Sequence, residues 1–493
     1  MDAPIDDPPR QRGARADPAT ALRTCLLRGS RAILIDGDRT LNNRLLRAIA
    51  LFFLVLVIAG SASAATRSAA IVMVGNDDNV YYCAGGCDKS LCLTCATEGM
   101  HVRRERGVVA ASYRQAQLEL PPRPGGPEVA PPEETVYTWP AISPDGKRVA
   151  YALIDRKKAG PTYGISIYDL ATREVTGIFQ SHSEGVVYLV WLPDSEHVSF
   201  LLTEPHGMLS LMLAEARQGA PLRIVANGAP LFFSWLNAET LAVHTASVGE
   251  NRVEQVTLRT VKPSGEETTR LLSRGRCPFK APVWSPDHQH LAYVANYQAE
   301  SNLVVADPDG SHPRSVVSLP VGENSFVWSG DSKQIAYSTS IDTEHNEYAG
   351  IRLVDVAKAE SRTLTQEPVD AFFFSPDSRY LAYIAAPPDQ QYYVWKLYDL
   401  KSNKIRTLGN FLTTNDESLM YHFFDQIAAS HTIWAPDSKS FVFAGVRVET
   451  MPQGSLPIAP PPTVWVMPVD GGIPREIQAG TLAFYSPPAP PSG

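Results

Sequence analysis

The sequence predicts an all-β protein whose strands close into a single ring, on three observations. A turn-and-strand unit recurs along the chain, its copies are spaced as four-stranded sheets require, and the two chain ends carry complementary parts of one further copy.

The unit is an aromatic or aliphatic residue, a Ser-Pro-Asp-Gly-like turn, and a short alternating strand ending near Ala-Tyr. Four copies show both parts: Ile142-Ser-Pro-Asp-Gly146 with Val149-Ala-Tyr151, Trp284-Ser-Pro-Asp-His288 with Leu291-Ala-Tyr293, Trp328-Ser-Gly-Asp-Ser332 with Ile335-Ala-Tyr337, and Phe374-Ser-Pro-Asp-Ser378 with Leu381-Ala-Tyr383. Trp191-Leu-Pro-Asp-Ser195 and Trp434-Ala-Pro-Asp-Ser438 carry the turn, and Trp235-Leu-Asn-Ala238 is a degenerate copy. The anchors at 142, 191, 235, 284, 328, 374 and 434 lie 49, 44, 49, 44, 46 and 60 residues apart. That spacing suits the roughly 40–50 residues of a four-stranded blade, with an insertion in the sixth interval alone. Proline presets the second position of a type I turn, Asp suits the third and Gly the fourth, so each motif joins one strand to the next. The period-2 stretches from Lys147 to Ala152 and from Gln289 to Ala295 read as strands with one buried face.

An eighth copy is divided between the ends. Residues 70–74, 78–82 and 91–94 match the later strands of a blade but lack the strand that leads into the turn, and Ala483-Phe-Tyr-Ser-Pro487 repeats the pattern of Phe372-Phe-Phe-Ser-Pro376. A strand contributed by the far terminus would close the ring and leave no sheet edge open. The expectation is one closed β-propeller over residues 68–487, with eight four-stranded blades, or seven if the Trp235 copy starts no blade.

Over those residues the pattern resembles the WD40-like (PD40) repeats of TolB-like propellers. The same repeats occur in the non-catalytic domain of prolyl oligopeptidase relatives. The resemblance implies a fold, and in the TolB-like case an exported protein that binds protein partners. Family members have fewer blades and a further N-terminal domain that this sequence does not display. Propellers host binding, scaffolding and catalysis alike, so function has to be argued from sites.

Arg44 and Arg47 precede the thirteen apolar residues from Ala48 to Gly60, and Ser61-Ala-Ser-Ala-Ala65 follows. Basic, apolar and small-residue regions in that order make a secretory signal, with cleavage expected after Ala64. Uncleaved, Ala48 to Ala65 is long enough to serve as a membrane anchor. Segment 44–65 is therefore a signal peptide or anchor, and the expected location is the periplasm, the cell surface or an outward-facing membrane-anchored state. Residues 1–43 read as a disordered extension, either a cytoplasmic tail or the product of a start codon set too far upstream. Pro122 to Glu134 and the tail 488–493 are Pro-rich and aperiodic.

The chain is 44% hydrophobic and carries a formal charge of −8, with nine Arg against six Asp in residues 1–47, so the remainder is more acidic still. That balance excludes a nucleic-acid phosphate partner, which needs clustered Lys and Arg. The expected partner is a protein, peptide or glycan of the cell envelope, bound by a monomer.

Cys83, Cys87, Cys92 and Cys95 fall within thirteen residues, in the hairpin expected between the third and fourth strands of the closing blade. In an exported chain they read as two disulfides. Zinc is the lesser alternative, since only Cys92 and Cys95 have the CxxC spacing of a metal knuckle, and no other cofactor is expected. The Asp residues at 145, 194, 287, 331, 377 and 437 recur at one turn position, so local hydrogen bonding explains them without a carboxylate ring. The sixth interval holds Tyr421, His422, Phe423, Phe424, Asp425 and His431. These are the candidate ligand or partner residues of a loop at one end of the ring, set against an enlarged turn that packs its own phenylalanines.

No G-x-S-x-G elbow, Walker or Rossmann glycine loop, or H-E-x-x-H motif is present, so no residue is assigned as catalytic or metal-binding. The sequence favours a non-enzymatic extracytoplasmic binding scaffold. A propeller hydrolase or lyase with a site at the central channel mouth stands as the alternative, because residues gathered from several blades leave no linear motif.

Overall fold

A computed structural model describes residues 69–85, 87–95, 108–109, 134–157, 160–204, 207–246, 254–274, 281–297, 300–320, 324–342, 347–387, 390, 392–450 and 460–487. Residues 1–43, the segment 44–65, most of the stretch from Pro122 to Glu134, Cys25, Cys277 and the tail 488–493 lie outside the described residues.

Antiparallel four-stranded sheets make up the described chain. Sheet 1 is Glu134–Ile142, Arg148–Lys157, Gly160–Asp169 and Val175–Ser181. Sheet 2 is Val186–Trp191, His197–Thr203, Leu209–Glu215 and Arg223–Gly228. The degenerate Trp235 copy forms a complete sheet 3, Leu231–Trp235, Thr240–Ala246, Glu254–Val261 and Glu267–Arg274. Sheet 4 is Val283–Trp284, Leu291–Tyr297, Glu300–Ala306 and Arg314–Leu319. Sheet 5 comprises Asn324–Trp328, Gln334–Asp342, Ile351–Asp355 and Glu360–Thr365. Sheet 6 comprises Val369–Phe374, Tyr380–Ala385, Tyr393–Asp399 and the first half of Lys404–Thr414. From sheet 5 to the chain's first strands the hydrogen bonding is continuous, because a Tyr348–Val369 bridge and two long strands carry it from one repeat into the next.

Burial falls across each sheet. In sheet 3 the second strand is buried over nearly its whole length, whereas the fourth is almost entirely exposed. The second strands are apolar on both faces, Leu241-Ala-Val243 and Leu381-Ala-Tyr383 among them; in sheet 3 Leu241 and Val243 join one buried cluster and Ala242 another, so both faces of that strand are packed.

The repeated turn does two jobs. In each copy the Asp carboxylate accepts the backbone N–H two residues on, as Asp145 does from Lys147 at 3.1 Å and Asp377 from Arg379 at 3.0 Å. In most copies it also accepts the preceding Ser hydroxyl. The residue after Asp has positive φ throughout: Gly146, Ser195, His288, Ser332, Ser378 and Ser438. Glycine would suit that conformation best, yet serine predominates, and the contacts explain why. Its hydroxyl accepts the Asp N–H of the preceding repeat: Asp145 to Ser195 at 2.9 Å, Asp287 to Ser332 at 3.0 Å, Asp331 to Ser378 at 2.7 Å and Asp377 to Ser438 at 3.0 Å. Three of the five anchor tryptophans add a second tie, donating their indole N–H to a carbonyl one sheet back, Trp191 to Ala141, Trp328 to Val283 and Trp434 to Phe373. Ser378→Ala is expected to cost about 1 kcal/mol, one hydrogen bond with the left-handed backbone retained, and Ser378→Gly less, because glycine relaxes that backbone. Chemical denaturation of both variants checks the order.

The terminal pairing follows the sequence expectation. Sheet 7 comprises the end of Lys404–Thr414, Ser440–Arg447, Thr463–Pro468 and the first half of Arg475–Tyr485. Arg475–Tyr485 then runs on beside Ile71–Gly75, with Ile71 opposite Tyr485, Val72 opposite Phe484 and Met73 opposite Ala483. Val80–Cys83 and Leu91–Cys92 complete that last sheet.

Candidate functional site

The first strand of sheet 7 is made of two pieces. Phe411–Thr413 pairs with Gly445–Arg447, the chain then leaves the sheet, and it returns at Ile433 and Trp434, where Val442 N–H donates to the Ile433 carbonyl and Trp434 bridges to Phe441. The residues between form two short helices, α1 (Asn415–His422) and α2 (Phe424–Ile427). The expected loop is therefore helical. Thr414 caps α1, its hydroxyl accepting the Glu417 N–H at 3.0 Å, and Asp416 and Glu417 sit in the first turn, where the helix dipole favours acid.

The break in the strand leaves Ala444 N–H without its ladder acceptor. Glu417 supplies one: its Oε1 accepts that N–H at 2.9 Å, its other oxygen takes the Tyr421 hydroxyl, and Ala483 N–H of the C-terminal strand also donates to the carboxyl. A helix side chain thus stands in for a strand carbonyl and ties α1 to both sheet 7 and the C-terminal strand. Thr414 reinforces the tie by donating its hydroxyl to the Thr481 carbonyl at 2.6 Å, and Asp416 accepts from the Thr481 hydroxyl at 2.6 Å. Burial pushes the Glu417 carboxyl up to about 8.

The insertion touches the first strands of sheets distributed along the whole chain. The His431 ring packs against Trp139 of sheet 1, Tyr188 of sheet 2 and Phe484 of the C-terminal strand, at 5.8, 5.6 and 4.8 Å between ring centres. The Gln426 amide brackets Phe233 of sheet 3, accepting its N–H at 3.0 Å and donating to its carbonyl at 2.7 Å. Phe424 lies against Tyr348, in the two-residue bridge between sheets 5 and 6, and against Phe372 and Phe373 in the first strand of sheet 6.

The six candidate residues consequently divide. Tyr421, Phe424, Asp425 and His431 are buried, and burial depresses the His431 imidazole to about 3, so it is neutral. His422 and Phe423 are exposed, with Leu419 one turn away, and Phe423 meets Phe232 of sheet 3. Glu417 was missed in the sequence, although Thr414-Asn-Asp-Glu417 is the spacing of a helix capping box. Val108 and Val109 also reach this region, pairing with Thr414 and Thr413.

Two further features lie elsewhere. The cysteine sulfurs pair locally at disulfide distance, Cys83 with Cys87 and Cys92 with Cys95. Sheets 4 and 5 flank a cleft of about 460 Å³ lined by Ser318, Tyr337, Thr339, Arg352 and Ser361, where the Arg352 guanidinium lies 6.0 Å over the Tyr337 ring. Among the described residues no three His, Cys, Asp or Glu side chains converge as metal ligands.

No known protein-family profile matches the chain. A dipeptidyl-peptidase 5 of Porphyromonas endodontalis is 30% identical over 96 residues, 20% of this chain, and the chain covers only 14% of that protein. Among solved structures, TolB from Acinetobacter baumannii aligns over 70% of this chain and 84% of its own, at 14% identity and a TM-score of 0.36. An oligogalacturonate lyase in complex with manganese aligns over 69% and 92%, at 13% identity and a TM-score of 0.44.

Proposed function

We propose that this chain is an exported β-propeller of the TolB-like kind, eight blades closed by the C-terminal strand, acting as a binding scaffold in the cell envelope. One observation carries the architecture: an insertion of two short helices meets first strands from sheets 1, 2, 3, 5 and 6 and the closing strand, as only a segment at the hub of a ring would. The hub is then occupied by the protein itself, and binding falls to the faces of the ring. Two disulfide pairs suit an oxidising compartment, in keeping with the signal-like segment 44–65.

On this reading Leu419, His422 and Phe423 form the docking face at one mouth, and the partner is a protein, peptide or glycan that covers an apolar and aromatic surface. The test is affinity capture from native envelope with the wild-type chain and with Leu419→Glu and Phe423→Glu. Leu419→Glu should shift melting by no more than about 0.5 kcal/mol equivalent, whereas Phe423→Glu also gives up the ring contact with Phe232 and should cost about 0.5–1.5 kcal/mol. Specific capture should fall at least tenfold, and capture indifferent to both charges would refute this face. The second reading, a hydrolase or lyase at the same mouth, draws on exposed His422. It requires turnover of a peptide or polysaccharide that disappears in His422→Ala.

A further inference from the structure

The two disulfides of the closing hairpin differ in chemistry. Cys83 is fully buried and Cys87 is 7% exposed, whereas Cys92 and Cys95 are both within reach of solvent, three residues apart on a short edge strand and the bend after it. The second pair is also asymmetric. Cys92 Sγ accepts the backbone N–H of Cys95 at 3.0 Å, a contact that favours negative charge on that sulfur. Cys95 Sγ instead faces the Tyr81 hydroxyl at 3.8 Å, and that hydroxyl already donates to Asp77 at 2.7 Å, so it turns lone pairs toward the sulfur with a carboxylate behind them. Such surroundings hold Cys95 as a thiol that donates, and Cys92 as the thiolate.

We propose that Cys92 and Cys95 form a thiol–disulfide exchange site that accepts electrons from small thiols or exposed protein thiols, while Cys83–Cys87 remains structural. A thiolate of the reductant attacks Cys95 Sγ, and the Cys92–Cys95 bond breaks with its electron pair leaving on Cys92, the better leaving group beneath the Cys95 N–H. A second thiolate then attacks the reductant's sulfur in the mixed disulfide, releasing Cys95, which takes a proton. Two thiols become one disulfide, and the cysteine pair gains two electrons. In the reverse direction Cys95, deprotonated, attacks the partner's disulfide and expels one thiol, and the Cys92 thiolate then attacks Cys95 Sγ and expels the other, re-forming the Cys92–Cys95 bond. The inference is independent of the propeller ring and of any docking face.

The test equilibrates the full chain in glutathione buffers of graded redox ratio, quenches with acid, alkylates, and maps each cysteine by mass spectrometry. Cys92–Cys95 should reduce and reoxidise reversibly with far-UV circular dichroism unchanged, at ratios where Cys83–Cys87 stays oxidised. After selective reduction, Cys92 should alkylate at least tenfold faster than Cys95 at pH 7, with a pH profile below the ordinary thiol range of about 8.5. In Cys92→Ser the glutathione adduct should accumulate on Cys95. Simultaneous reduction of both pairs, reduction only upon unfolding, or equal alkylation of the two sulfurs would overturn the proposal, and the wild-type titration decides even if the variant fails to fold.

Discussion

A chain ending at Gly480 should lose its cooperative fold, whereas one ending at Pro487 should melt as the full chain does. The segment removed by the first truncation, Thr481 to Tyr485, is the partner of Ile71–Gly75 and buries Leu482, Phe484 and Tyr485, all at most 6% exposed. Three such side chains at roughly 1.5–3 kcal/mol each reach the lower end of the 5–15 kcal/mol or so that holds a domain together. The loss spreads beyond the edge. Phe484 is a wall of the His431 pocket, Thr481 anchors both ends of the Thr414–Asp416 turn, and the Ala483 N–H is one of the donors to Glu417. Calorimetry and limited proteolysis check the outcome; a Gly480-terminated chain that melts cooperatively within a few degrees of the full chain would show that the strand merely decorates the fold.

The cysteine hairpin, by contrast, should matter less to global stability than its place in the sheet shared by the two chain ends suggests. The bridges span four and three residues, so each constrains only a small loop, worth about 2 kcal/mol on chain-entropy grounds. They tie the hairpin to itself and not to the C-terminal strand, so the pairing of the chain's first and last strands rests on the Ile71–Tyr485 register instead of on redox state.

Repetition made the fold legible. A turn motif repeated with its spacing locates every sheet, including sheet 3, whose Asn237 caps its turn through Glu239 and Thr240 N–H in place of Asp. What the repeat could not disclose is the inter-sheet role of the serine after Asp, because a hydroxyl at a left-handed turn position reads as turn chemistry until the neighbouring sheet is in view. The insertion was located by its interval, but its helices and its inward course were not. Its apolar residues, Met420, Tyr421, Phe424 and Ile427, keep helical spacing, but only within two short helices of 8 and 4 residues broken at Phe423, too short a run to stand out from an enlarged turn. The exposure of His422 beside buried Asp425 and His431 likewise depends on which way each helix turns, and that is fixed by sheets up to about 290 residues away in the chain, such as the one holding Trp139.

The two buried titratable groups of the insertion should give the protein a stability profile with losses on both sides. The Glu417 carboxyl is raised to about 8 from 4.5, so the folded chain holds a proton that the unfolded chain has released, and stability falls as pH rises from about 4.5 to about 8. His431 is depressed to about 3 from 6.5, so the unfolded chain binds the proton first, and stability falls as pH drops from about 6.5 to about 3. Between about 4.5 and 6.5 the slopes oppose and the profile should be flat. Each flank should amount to a few kcal/mol, enough to move the melting temperature by several degrees. Glu417→Gln separates the effects: its amide oxygen can still accept the Ala444 N–H and its amino group can donate to Tyr421, so the alkaline flank should flatten while the acidic flank persists. Glu417→Ala should be weaker at every pH, because a buried backbone N–H without an acceptor costs about 1–3 kcal/mol and a cavity is added. Melting curves from pH 3 to pH 9 distinguish the three proteins, and a Gln variant that keeps the alkaline slope would place its origin in another group and leave Glu417 only the structural task of replacing the strand carbonyl that the insertion displaced.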